Sequence, residues 1–166
     1  MCGSARSSGA RHRISVPTTR SGALKSEIRA FPRAGDLLRA VHDRGLRVVL
    51  ATSAEKSDLE ALLKAIDADD AIDAVTSAGE VEQAKPAPDL FCVALEEAGT
   101  ATDATVVVGD TVWDVKAAKR AGLPCVAVTS GGISRAELEA AGAVAVYADV
   151  GALLDDLEHS SLVGVA

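Results

Sequence analysis

The chain has 166 residues, 48% of them hydrophobic but only 2% aromatic, and a formal net charge of −7. That length suffices for one domain with a sizeable core, built on Ala, Val and Leu, with Phe31, Phe91, Trp113 and Tyr147 as its aromatics. Acidity and the scarcity of aromatics exclude a nucleic-acid stacking platform, and no apolar run approaches the roughly 18 residues of a membrane span.

The charge is unevenly placed. Arg6, Arg11, Arg13, Arg20 and Lys25 fall within residues 1–26, which hold no acid, leaving 12 basic residues against 24 acidic ones in the remainder. With little apolar periodicity, residues 1–26 are expected to be a disordered or foreign tail, ahead of an α/β core over residues 27–166. Pro32 then stands at the first turn of a helix over about Ala34–Arg44, with Leu37, Leu38 and Val41 on one face and Gly45 closing it. A strand Leu46–Ala51, a helix Ser57–Ile66 and a short apolar piece near Ile72–Val75 follow. Next come a helix from about Pro88 to Ala98, a strand Thr105–Val108, a helix Trp113–Ala121 and a strand Pro124–Thr129. Ser134 and Glu137 form a capping box that opens the next helix, and a strand Ala143–Tyr147 and a helix Val150–Leu157 end the series. Strands spaced by single helices predict a Rossmann-like parallel sheet with right-handed crossovers and helices on both faces.

The stretch Val106–Gly122, VVVGDTVWDVKAAKRAG, carries the most chemistry. Three valines in a row suit a strand buried on both faces, so Asp110 falls at the carboxyl end of a strand, where open α/β sheets bind ligands. Asp114, one helical turn on, can point back to the same place, and two converging carboxylates make a hard-oxygen site of the kind that holds Mg²⁺.

This stretch resembles the last motif of the haloacid dehalogenase superfamily of hydrolases, and two further matches precede it in that family's order. LRVVLATSAEK puts Thr52 at the tip of a hydrophobic strand, and Lys85 lies in EQAKPAPDLF, a lysine before a proline and a helix. The resemblance runs from about Phe31 to about Leu157. It implies a phosphatase of small phosphorylated metabolites, of the phosphoglycolate or sugar-phosphate kind, with Mg²⁺ as cofactor. In that scheme Thr52 hydrogen-bonds a phosphoryl oxygen, Ser53 supplies a further donor and Lys85 neutralises the phosphate charge. Asp110 holds Mg²⁺, and Asp114 is a second ligand or an outer acceptor.

Taken singly, each residue has a plainer role. Thr52, Ser53 or Ser57 can cap the following helix, Lys85 can be a solvated loop lysine, and Asp110 can be an N-cap. Together they supply the hydroxyl donor, fixed cation and metal carboxylate that a phosphate-handling site needs on neighbouring strand ends. Asp67-Ala68-Asp69 follows the helical LEALLKAI pattern and reads as a solvated helix-end cluster, while His12, His42 and His159 read as surface residues. Cys2, Cys92 and Cys125 have no metal-ligand spacing, and scattered thiols of odd number point to a cytoplasmic protein.

The resemblance also implies a first strand ending Asp-x-Asp, whose first Asp is the covalent nucleophile, and a mobile cap after it. No such segment is present, so the expected fold is a family core lacking its first central strand, with no nucleophile and no activity as it stands. Arg13–Pro17 is short and its charges suit a buried strand poorly. A gap in the sheet would leave strand edges open to self-association. The tail is either a transit peptide or sequence foreign to the domain, such as a misplaced start or shifted frame, and its place where the nucleophile strand is due favours the second. A noncatalytic phosphate- or Mg²⁺-binding or association domain is the alternative. A receiver domain fails on the order Thr52, Lys85, Asp110, and no strand is followed by the glycine pattern of a dinucleotide fold.

Overall fold

A computed structural model describes residues 13–15, 28–52, 56–76 and 89–163. The strands are β1 (Arg13–Ser15), β2 (Arg47–Ala51), β3 (Ala74–Thr76), β4 (Thr105–Gly109), β5 (Cys125–Val128) and β6 (Ala145–Tyr147). The helices are α1 (Ala34–His42), α2 (Lys56–Ile66), α3 (Asp89–Ala98), α4 (Val112–Ala121), α5 (Arg135–Ala141) and α6 (Val150–Asp155). All strand pairs are parallel, in the order β3-β2-β1-β4-β5-β6.

Side-chain alternation along each strand sorts the core into two layers. Val48, Leu50, Val106, Val108, Val126 and Val128 pack with Leu37, Leu38 and Val41 of α1, Leu62 and Ile66 of α2, and Val150 and Leu153 of α6. Their sequence neighbours Val49, Ala51, Val107, Cys125 and Ala127 face the opposite way, against Leu90, Phe91 and Leu95 of α3, Val115 and Ala118 of α4, and Leu138 of α5. Every residue of β4 is buried, as the valine run predicts. Helix ends follow the local chemistry. Gly122 closes α4 at φ 80, a conformation that costs a side-chain-bearing residue about 1 kcal/mol or more, and Ser134 and Glu137 form the expected capping box on α5.

One expectation is corrected. The central slot between β2 and β4 is filled, by Arg13–Ser15, with Ile14 opposite both Val48 and Val106. Both flanking strands lie in the interior, where each backbone N–H and C=O needs a partner. Even a three-residue strand meets part of that need, so the sheet is continuous, and β3 and β6 are its edges among the described strands. The remaining residues before 28 lie outside those described.

Asp67-Ala68-Asp69 forms a helix end, as read from the sequence. Asp67 follows α2 at φ 51, its carbonyl accepts from Arg39 Nη2 at 2.6 Å, and Asp70 pairs with Arg39 at 2.8 Å. At the far edge, the Tyr147 hydroxyl donates to Asp156 Oδ2 at 2.9 Å. Desolvation, then this hydrogen bond, raises the phenol above its ordinary value. A raised pKa gives stability that is complete below the unfolded tyrosine's value of about 10 and is lost as pH rises through the folded one. The stability of the chain relative to Tyr147→Phe is therefore expected to fall as pH passes 10. Denaturant midpoints for both proteins that stay parallel across that range would contradict this.

Candidate functional site

Parallel strands bring their carboxyl ends to one side of the sheet, and the sequence-predicted residues sort themselves there by register. Val48, Ile14 and Val106 form one row across β2, β1 and β4. Thr52 and Asp110 each stand four residues beyond that row, at the tips of the two strands that flank β1, two strand spacings or roughly 10 Å apart. Thr52 is 3% exposed, and its backbone N–H donates to the Thr76 carbonyl at 2.9 Å, extending the β2–β3 ladder. Asp110 is half-buried. Four residues beyond Ile14 in the sequence is Thr18, and Val16-Pro17-Thr18-Thr19, which lies outside the described residues, contains no carboxylate. Ser53 and Lys85 lie outside the described residues.

Asp114 turns back onto the loop that carries Asp110. It is 6% exposed, and its Oδ2 accepts from the Thr111 hydroxyl at 2.7 Å, from the Thr111 N–H at 3.1 Å and from the Asp110 N–H at 3.4 Å. The Asp114 N–H donates back to the Thr111 hydroxyl at 3.2 Å, completing a capping box on α4. Three donors on one carboxylate oxygen fix the loop that carries Asp110 and put a negative charge at the helix's positive end. Asp114 thus orients the Asp110 loop. Thr111 was not singled out as a candidate, although Thr-x-x-Asp before a helical run is a capping signature. Gly109 makes room for this packing, since a Cβ there would lie 2.5 Å from the Asp114 Cβ.

Beside the Asp110 loop, Trp113 is 52% exposed at the start of α4 with the Lys116 ammonium 5.1 Å from its ring centroid. A cleft of about 400 Å³ opens nearby, between Phe31–Arg33, Ser130 and the start of α6. Its cation is engaged by its own walls: Arg33 donates to Asp155 at 2.8 Å and to the Gly151 carbonyl at 3.4 Å, while Asp149 caps α6 by accepting from Ala152. Among the described residues no group of three or more His, Cys, Asp or Glu converges on a metal position. The donors at hand are nonetheless all oxygen, one half-buried carboxylate at a strand tip with a second behind it. That set fits Mg²⁺, which keeps several waters and binds through one or two carboxylates.

A parallel α/β sheet with a hydroxyl residue and a carboxylate on the tips of the strands flanking its centre presents polar groups where open α/β sheets bind ligands. A family model for haloacid dehalogenase-like hydrolases matches residues 11–122, and the chain belongs to that family. It is 36% identical over 125 residues to the phosphoglycolate phosphatase of Rhodospirillum rubrum, covering 75% of this chain and 52% of that protein. It is 37% identical over 122 residues to Protein SUPPRESSOR OF QUENCHING 1, chloroplastic, of Arabidopsis thaliana, covering 73% of this chain and 12% of that protein. A hydrolase from Pseudomonas syringae superposes with a TM-score of 0.75 at 36% identity, over 82% of this chain and 63% of that one. The chain therefore spans about half the length of the first of these relatives and a smaller part of the second. No described helix is long and apolar enough to cross a membrane.

Proposed function

We propose that the chain carries the phosphate-binding and Mg²⁺-binding side of a phosphomonoesterase site for a small phosphorylated metabolite, of the phosphoglycolate or sugar-phosphate kind. The observation that carries the reading is the shared row of Thr52 and Asp110 on either side of β1. A phosphoryl group at the tip of β1 would lie within reach of both. Thr52 would donate to one of its oxygens, with Ser53 as a further donor, and Lys85 would offset its charge. Asp110 would hold Mg²⁺, with Asp114 behind it holding the loop. Bound there, the ion would offset charge developing on the phosphoryl oxygens. The kinship with phosphoglycolate phosphatases supports the substrate class.

Covalent phosphoryl transfer needs a carboxylate nucleophile at the tip of β1, and the sequence there has none, so the chain as it stands is proposed to be inactive. The same acid-free central strand favours a second reading, a noncatalytic domain that binds phosphate and Mg²⁺. Both readings require metal affinity. Calorimetric titration with Mg²⁺ is expected to give binding that Asp110→Asn abolishes and Asp114→Asn weakens about tenfold, the usual cost of losing an outer partner. Equal affinity in the unaltered chain and the double variant would move the site elsewhere.

A further inference from the structure

The turn after β5 comes close to Asp110 at Gly131. An ideal Cβ on Gly131 would lie 2.5 Å from the Asp110 carbonyl oxygen, 2.5 Å from Asp110 Oδ2 and 3.0 Å from Asp110 Cβ. Contacts under about 3 Å between such atoms lie inside their repulsive walls, so one partner must move. Backbone conformation does not demand glycine here, because Gly131 is absent from the residues with positive φ, whereas the next residue, Gly132, sits at φ 84. Gly131 is thus a glycine for one reason, the nearness of Asp110.

Neither side is free to yield. The turn Thr129–Gly131 is closed by the Gly132 N–H on the Thr129 carbonyl at 2.9 Å, and the Thr129 hydroxyl anchors it to the Ala148 carbonyl at 2.7 Å. The Asp110 loop is held from the other side by the Asp114 carboxylate. We propose that Gly131 is a positioning residue: its bare backbone is the wall against which the Asp110 carboxylate is seated, and any side chain there displaces that carboxylate. The inference rests on the metal reading of Asp110 only for its effect on Mg²⁺.

Carbon-13 labelling of aspartate carboxyl groups in the full chain tests it, with the Asp110 resonance assigned by its loss in Asp110→Asn. Gly131→Ala is expected to move the Asp110 resonance and leave in place those of Asp73 and Asp103, which precede β3 and β4 at the opposite ends of the strands. It should also raise the Mg²⁺ concentration needed to shift Asp110 by tenfold or more. Gly132→Ala, strained by its own φ, should lower stability without moving Asp110. An unmoved Asp110 resonance in folded Gly131→Ala overturns the proposal. If Gly131→Ala moves Asp110 while Mg²⁺ shifts no aspartate in the unaltered chain, the positioning role stands and the metal reading fails. Should Gly131→Ala not fold, adding Asp110→Gly, which removes the carboxylate and loosens the backbone, is expected to restore folding, and failure to do so also overturns it.

Discussion

Replacing residues 13–20 by an apolar strand that ends in Asp-x-Asp, with the first Asp at position 18, is expected to create a Mg²⁺-dependent phosphatase. The unaltered chain is expected to release no phosphate from p-nitrophenyl phosphate. Position 18 is four residues beyond Ile14 in the sequence, just as Thr52 and Asp110 are four beyond Val48 and Val106, the two partners of Ile14. A carboxylate introduced there would meet a phosphoryl group already flanked by its other partners. Covalent catalysts contribute several orders of magnitude in rate, so the gain should rise from background to easily measured turnover. It should vanish again on Asp110→Asn or Lys85→Ala. Asp110-dependent turnover by the unaltered chain would reveal a nucleophile elsewhere. A repaired chain that is folded yet inert would favour the noncatalytic reading.

The largest effect on stability is expected from Leu153→Ala. Helix α6 is only six residues long, too short to persist on its own, and it is held by Val150 and Leu153, both 0% exposed, against Leu37, Leu38 and Val41 of α1. Truncating a fully buried leucine costs about 2–5 kcal/mol in transfer and cavity terms. A domain of this kind has only about 5–15 kcal/mol in total. Urea unfolding should show a lower midpoint with an unchanged slope. A loss below about 1 kcal/mol would mean that α6 is not part of the cooperative unit.

Where the sequence was legible, the signal was local. Val106–Val108 declared a strand buried on both sides, Leu37, Leu38 and Val41 declared the inner face of α1, and Ser134 with Glu137 declared a helix start. Because register in a parallel sheet follows from such strands, the neighbourhood of Thr52 and Asp110 was legible too. Arg13–Pro17 is short and its charge suits a buried strand poorly, yet Arg13–Ser15 within it pairs on both sides. Its place is set by the hydrogen-bonding needs of β2 and β4, which its own sequence does not display. Asp114 is expected from the sequence to be a ligand or an outer acceptor, and its pairing with Thr111, visible once the helix start is fixed, adds the part of a loop anchor. The approach of Gly131 to Asp110 joins residues far apart in the chain and has no local signature at all.

With β4 walled by side chains above and below, neither face of the sheet offers a way in. Among the described residues the way left to Asp110 is end-on, along the direction of the strands, as a key enters a lock from the front of the door. The scaffold therefore dictates the angle of arrival and says almost nothing about the shape of what arrives. On the proposed reading, discrimination among phosphorylated metabolites would come from whatever stands in front of the strand tips, where the sequence can change without disturbing a single valine of the core.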